Sequence, residues 1–337
     1  MAVAGTAIRL SVLAALAAAQ GDSLWGLLNK WDAHYYVDIA RAGYGGETAL
    51  AFFPGFPLAV RAVSNLLGAD IAGTAMVLNL FFTIALAAGV MALARQMGLG
   101  TRGQVLGATV VTSAPMSIVF VMPYTEALFG ALAIWAVVML HDKRWIAAGV
   151  LIFLASFVRL TAVDLIVVFA LMVLFKARRT WWAWLSVAVS ALPLAGYIWW
   201  ANRHLSGAGG YFGLQEKHWN SGFDGGRATV SWVAETLSSA TNGGYLLSAA
   251  VIIAAPICLL LAWGRLPLPA WLFAAVLMAN VLLSDGIMHS RPRLLLPAAV
   301  VLLPWVGKKG ASASVSAWVL FGAWFSAYML TVFEWAI

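Results

Sequence analysis

Apolar runs long enough to cross a bilayer follow one another along this chain and leave no room for a separate soluble domain. Delimited by charges and by Gly/Pro punctuation, they cover residues 6–21, 71–94, 104–121, 126–141, 145–158, 162–176, 181–202, 244–263, 268–284, 294–307 and 312–333. A spanning helix needs about 20 predominantly apolar residues. The sequence therefore predicts an all-α polytopic membrane protein, a bundle of about 11 transmembrane helices forming one domain over residues 1–337. Composition agrees, with 63% hydrophobic and 10% charged residues against roughly 25% charged in a soluble chain. The single cysteine, Cys258, lies inside an apolar run, which excludes a disulfide framework or a cysteine metal site within one chain.

Two segments need a decision. Residues 8–20 could pass for a signal peptide, but the n-region carries only Arg9, so they read as a retained first span with its N-terminus inside. The run from Phe52 to Leu67 is broken by proline and contains Arg61, and is predicted to be a re-entrant or interfacial helix rather than a twelfth span.

Lys and Arg in short loops set orientation. Arg95 with Arg102, Lys143 with Arg144, Lys176 with Arg178 and Arg179, then Arg265, then Lys308 with Lys309 fall on one side of the predicted ladder, hence the cytoplasm. Of the 13 acidic residues, all but Asp142 then lie on the opposite face. The formal charge of +7 thus reflects cytoplasmic loops, not a nucleic-acid partner. Arg159, Arg291 and Arg293 sit on the outer face against this rule, so a reason other than topology must place them there.

The outer segments hold the candidate chemistry. Residues 21–69 form a first extracytoplasmic loop in which Trp31, Tyr35 and Ile39 share a helical face, predicting an amphipathic helix on the membrane surface. Asp32 neighbours His34 and Tyr36 there, and serves either as a general base or as a helix N-terminal acid favoured by the macrodipole. The turn Met122-Pro123-Tyr124-Thr125-Glu126 puts Glu126 at a span terminus, as a functional carboxylate or as one half of a Thr125–Glu126 cap. Arg159 has Asp164 as its expected ion-pair partner.

The long loop 203–243 carries Tyr211, His218, Trp219, Arg227 and Trp232, an adaptable binding surface or a set of interfacial anchors. In Ser284 to Arg293, His289, Arg291 and Arg293 precede an apolar run, and this grouping favours a phosphate site at a helix N-terminus over headgroup snorkelling. The sequence has no Walker loop, no G-x-G-x-x-G followed by a soluble helix pair, and no H-E-x-x-H. A carboxylate base, a phosphate clamp and aromatic loops on the outer face point to group transfer from a lipid-linked phosphate donor. A transporter or flippase would instead need charges at mid-span and an internal repeat, and neither is evident. A non-catalytic sugar-lipid-binding subunit is the third reading.

Trp31-Asp32, Ile39-Ala40, Gly43-Tyr44 and Phe52-Phe53-Pro54-Gly55-Phe56-Pro57, followed by Tyr124-Thr125-Glu126-Ala127-Leu128-Phe129, Arg159 and Arg293-Leu294-Leu295-Leu296-Pro297, resemble the PIG-V family. That family is the GPI mannosyltransferase II type within the GT-C class of membrane glycosyltransferases. The resemblance implies inverting transfer of mannose, in an alpha-1,6 linkage, from a polyprenyl-phosphate-mannose donor to a glycolipid or glycan hydroxyl. It casts Asp32 as base and implies neither nucleotide nor metal. Arg291, Arg293, His289 and Arg159 then become donor phosphate ligands, with Trp31, His34, Tyr35, Tyr36, Tyr124 and Glu126 positioning substrate. The chain is shorter than the eukaryotic enzymes and rich in Ala and Gly, which points to a prokaryotic plasma membrane with an extracytoplasmic site, and to an acceptor other than a GPI anchor.

Overall fold

No water in a bilayer core can satisfy a backbone N–H or C=O, so each apolar run must close its hydrogen bonds within itself, as a helix. The computed structural model describes residues 1–205, 209–333 and 335, and among these it is helical with a single isolated bridge, Phe223 to Ser284. The chain begins with α1 (Ala2–Gln20), α2 (Leu24–Leu28), α3 (Asp32–Ala42), α4 (Gly55–Leu67), α5 (Ile71–Gln96) and α6 (Thr101–Thr112). It continues through α7 (Glu126–His141), α8 (Trp145–Ala155), α9 (Ala162–Ala177), α10 (Trp181–His204), α11 (Gly210–Trp219) and α12 (Arg227–Ser239). The last five are α13 (Gly243–Leu261), α14 (Leu268–Leu282), α15 (Arg291–Leu294), α16 (Leu303–Val306) and α17 (Ala311–Thr331).

Five of these, α1, α5, α10, α13 and α17, are long and apolar enough to cross a membrane alone. Shorter apolar helices, α7, α8 and α14 among them, fill the bundle beside them. Side chains such as Phe81, Ile146, Leu185, Leu260 and Leu320 point outward and are exposed, a surface that suits lipid rather than water. Inside, α5 packs on α7, α7 on α8, and α1 on α17, so the first and last spans are neighbours.

Two predicted spans are not continuous α-helices. The run 104–121 stops at Thr112, because the residue before Pro115 is driven out of the helical region; Met116 has φ 63° and a 3₁₀ turn, Ser117–Phe120, follows. Arg9, buried in α1, donates to the buried carbonyl of Thr112 and to Ser117 Oγ at 3.2 Å. A cation at a helix C-terminus is favoured by the dipole, so this charge closes a broken helix. The run 294–307 is α15, a 3₁₀ segment Leu296–Leu302 and α16 in succession.

The first outer segment differs in detail from its predicted face. Trp31 precedes α3 with φ 55°, and the helix buries Ala33, Val37, Ile39 and Ala40. It packs on α4 and α5. Arg61 of α4 caps it, Nε donating to Ala40 O at 2.6 Å and Nη2 to Ile39 O at 2.8 Å. At 13 residues α4 is about 20 Å long, short of a hydrocarbon core about 30 Å thick.

Candidate active site

Four charged side chains from distant parts of the chain meet at one end of the bundle. Asp32 opens α3, Glu126 opens α7, Arg159 lies in the turn between α8 and α9, and Arg293 lies in α15. Arg293 Nη1 donates to Asp32 Oδ2 at 3.0 Å, and Arg293 Nε lies 3.4 Å from Glu126 Oε1, near enough for charge attraction but not aligned as a hydrogen bond. The same Oε1 pairs with Arg159 Nη1 at 2.6 Å, and Arg159 also donates to Thr125 Oγ1 at 3.3 Å. The expected Arg159–Asp164 pair does not form: Asp164 Oδ1 accepts from Asn280 instead, at 2.9 Å.

Glu126 is 2% exposed, and its Oε2 has no hydrogen-bond partner among the described residues. Burying a carboxylate at that depth is tolerable only because two guanidiniums and the N-terminal turn of α7 favour its charge. Burial on its own would push the Arg293 guanidinium toward losing its proton, but Asp32 and Glu126 outweigh it and hold the group firmly protonated. Arg293 also lies over the Tyr124 ring, 5.1 Å from its centroid. Burial, followed by the nearby Asp32 charge, raises the Tyr124 phenol well above its usual value; burial likewise keeps Tyr36 neutral. Asn79 fixes the turn beneath, its amide donating to Met122 O and, at 2.9 Å, to Tyr124 O.

Asp32, Tyr36, Arg159 and Arg293 open onto a cavity of about 270 Å³, near the lower end of small-molecule sites. Glu126 and Tyr124 stand behind that wall, outside the lining. α11 also lines the cavity, presenting Tyr211, Gln215 and Trp219. Their i, i+4, i+8 spacing puts them on one helical face, a signal available in the sequence that would have added Gln215 to Tyr211 and Trp219. Phe52 and Phe53 line the cavity too; Phe52 stacks on Tyr35 at 4.7 Å and meets Trp219 edge-on at 5.8 Å. Asn280, Ser284 and Asp285 complete it from the end of α14.

Other expected site residues are placed elsewhere. Arg291 reaches the cavity but is committed: it donates to Thr229 Oγ1 at 2.8 Å and to the carbonyls of Val281 and Ser284 at the end of α14. Burial lowers its pKa to about 10, which leaves it charged at neutral pH. His289 is outside the cavity lining, its ring packed against Tyr245 and Phe333. Trp31 is half-buried and exposed His34 stacks on Tyr35; neither lines the cavity. The helix N-terminus expected after this segment is the four-residue α15, too short to supply a useful dipole. Pro292 and Leu295, on the other side of α15, face a second, apolar cavity of about 280 Å³ between α13, α17 and the 3₁₀ segment.

A family described as Mannosyltransferase (PIG-V) matches residues 4–184. GPI alpha-1,6-mannosyltransferase 2 of Mus musculus is 33% identical over 147 residues, which is 41% of this chain and 30% of the mouse protein. Its counterpart in Cricetulus griseus is 34% identical over 148 residues, with the same two shares, 41% and 30%. The match thus spans under a third of the length of these relatives. Among solved structures, ArnT from Cupriavidus metallidurans bound to undecaprenyl phosphate superposes with a TM-score of 0.57 at 15% identity, covering 90% of this chain and 59% of ArnT. At that identity the likeness speaks for the fold. With more than half of its residues matched by that family, the chain belongs to the PIG-V mannosyltransferase family.

Proposed function

We propose that this protein is an inverting mannosyltransferase that moves mannose from a polyprenyl-phosphate-mannose donor to a hydroxyl of a glycolipid or glycan, acting at the extracytoplasmic face. One observation carries the reading: a carboxylate, Asp32, and two guanidiniums, Arg159 and Arg293, line one cavity together with aromatic side chains. The acceptor oxygen attacks the sugar carbon while its proton passes to Asp32. The bond from that carbon to the phosphate oxygen breaks with its electron pair, and Arg293 and Arg159 stabilise the charge that develops on the phosphate. Mannose ends bonded to the acceptor oxygen with inverted configuration, and the prenyl phosphate departs.

Arg291 is withdrawn from the phosphate role by its bonds to Val281 O and Ser284 O, and His289 because its ring packs against Tyr245 and Phe333 outside the lining. The apolar cavity across α15 suits the prenyl tail, one turn of chain from Arg293. ArnT, which has this fold, was solved with undecaprenyl phosphate. The alpha-1,6 linkage follows the names of the mammalian relatives, and the outward orientation follows the placement of the basic loops. α7 runs from Glu126 at the site to His141 beside Lys143 and Arg144, so the site and these charges lie at opposite ends of one helix.

The test is incubation of purified protein with labelled polyprenyl-phosphate-mannose and a membrane lipid extract, followed by identification of the labelled product. Transfer by the native protein and none by Asp32→Asn is expected. Full turnover by folded Asp32→Asn would remove Asp32 as the base.

A further inference from the structure

The four charges sum to zero, and they are not equivalent. Arg293 is held on one side by Asp32, which is part of the cavity wall, and on the other by Glu126, which is not. Glu126 Oε1 also holds Arg159, and its Oε2 remains an unused acceptor. Asp32 therefore occupies, with its own carboxylate, the face of Arg293 that an anion entering the cavity would need. A sugar phosphodiester carries one negative charge, and so does the carboxylate it would replace, so the exchange leaves the charge around Arg293 unchanged. Moving an anion in without moving Asp32 away would place two like charges against one another in a partly buried site.

We infer that the donor phosphate displaces Asp32 from Arg293, so that the base is masked in the empty enzyme and released by the donor. Glu126 is the positioning residue that keeps both guanidiniums in place as Asp32 leaves. Donor binds before acceptor in this scheme, because a free Asp32 is what the acceptor hydroxyl meets. Charge balances through the reaction as well: Asp32 becomes neutral on taking the proton as the departing phosphate monoester gains its second negative charge.

This inference rests on the lipid-phosphate donor reading, and the experiment separates the two. Binding of a short-chain polyprenyl monophosphate to the full-length detergent-solubilised protein is measured for the native chain, Asp32→Asn, Asp32→Ser and Glu126→Gln, each checked for a monodisperse elution profile. Each substitution removes one negative charge, so electrostatics alone predicts tighter binding in all three. Exchange with a fixed anchor predicts opposite signs: about tenfold tighter binding for the two Asp32 variants, whose competitor is gone, and about tenfold weaker binding for Glu126→Gln. Tightening in all three, or unchanged affinity in the Asp32 variants, overturns the exchange while leaving the donor class intact. Failure of the native protein and every variant to bind the prenyl phosphate overturns the donor reading itself.

Discussion

Arg291 and Arg293 are two residues apart in sequence and open onto the same cavity, yet the structure assigns them different work, and substitution separates them. Arg291 donates to Thr229 Oγ1, Val281 O and Ser284 O. Val281 O belongs to the last turn of α14, where carbonyls have no partner inside the helix, and Ser284 O lies just beyond its end. A hydrogen bond from a charged donor contributes about 1.5–3 kcal/mol. In Arg291→Gln one of the three acceptors can be served by the new amide, leaving two uncompensated. Water from the cavity replaces part of that, so the expected loss is about 3 kcal/mol. For 337 residues an unfolding entropy near 2.1 cal/mol/K per residue converts this to a fall of about 4 °C in the thermal midpoint.

Arg293→Lys is the counterpart. It keeps a positive charge between Asp32 and Glu126, so the midpoint should stay within about 2 °C, but an ammonium lacks the planar fork that bridges two partners. Turnover should fall by about a hundredfold or more, in the range typical of a lost charge-stabilising group. Thermal denaturation in detergent and the labelled-mannose assay, run on both variants, read the two axes. An Arg291→Gln protein with its midpoint intact and its donor affinity lost would refute the assignment and return Arg291 to the phosphate.

Tyr124→Phe should leave thermal stability within about 0.5 kcal/mol, because the hydroxyl it removes is buried without a hydrogen-bond partner among the described residues while the ring under Arg293 stays; a larger loss in the same melt would show a partner for that hydroxyl. Gly55→Ala should cost about 1–3 kcal/mol and lower turnover, since its Cβ would stand 2.8 Å from Phe157 O and push α4 away from the turn that carries Arg159; an unchanged melt and rate would count against that close approach. Trp219→Ala should raise the donor or acceptor KM about tenfold with a smaller change in kcat, because the indole lines the same cavity as Asp32; a kcat-only effect would argue against a binding role.

The bundle was legible in the sequence where apolar length decides the outcome, as in α5 and α13, whose predicted and observed limits nearly coincide. It was not legible where proline acts inside an apolar run: nothing in hydropathy marks the break at Thr112, or Arg9 as the group that closes it. The site followed the same division. That Asp32, Glu126, Arg159 and Arg293 share one face of the bundle could be read from the predicted ladder, but their pairing could not, because Asp32 and Arg293 are 261 residues apart. Local spacing offered Asp164 to Arg159, and tertiary packing gave it Glu126 instead. Likewise the grouping of His289, Arg291 and Arg293 pointed to one anion site, whereas the tight turns around α15 send the three side chains to different neighbours.

The placement of Asp32 also bears on whether the site is catalytic or merely holds a sugar lipid. A binding subunit needs the two guanidiniums and the aromatic walls, and Glu126 behind them to keep the arginines in place. It has no use for a second carboxylate on the cavity wall, where Asp32 competes with the incoming anion for Arg293 and lowers its affinity. That competition is a cost with no return in a protein that only binds, and it has a return in one that must take a proton from an acceptor hydroxyl. A flippase meets a different objection: Asp32, Glu126, Arg159 and Arg293 gather where α3 and α7 begin and where the turn after α8 lies, at one end of the bundle. A path through the bilayer would need such groups spaced along it.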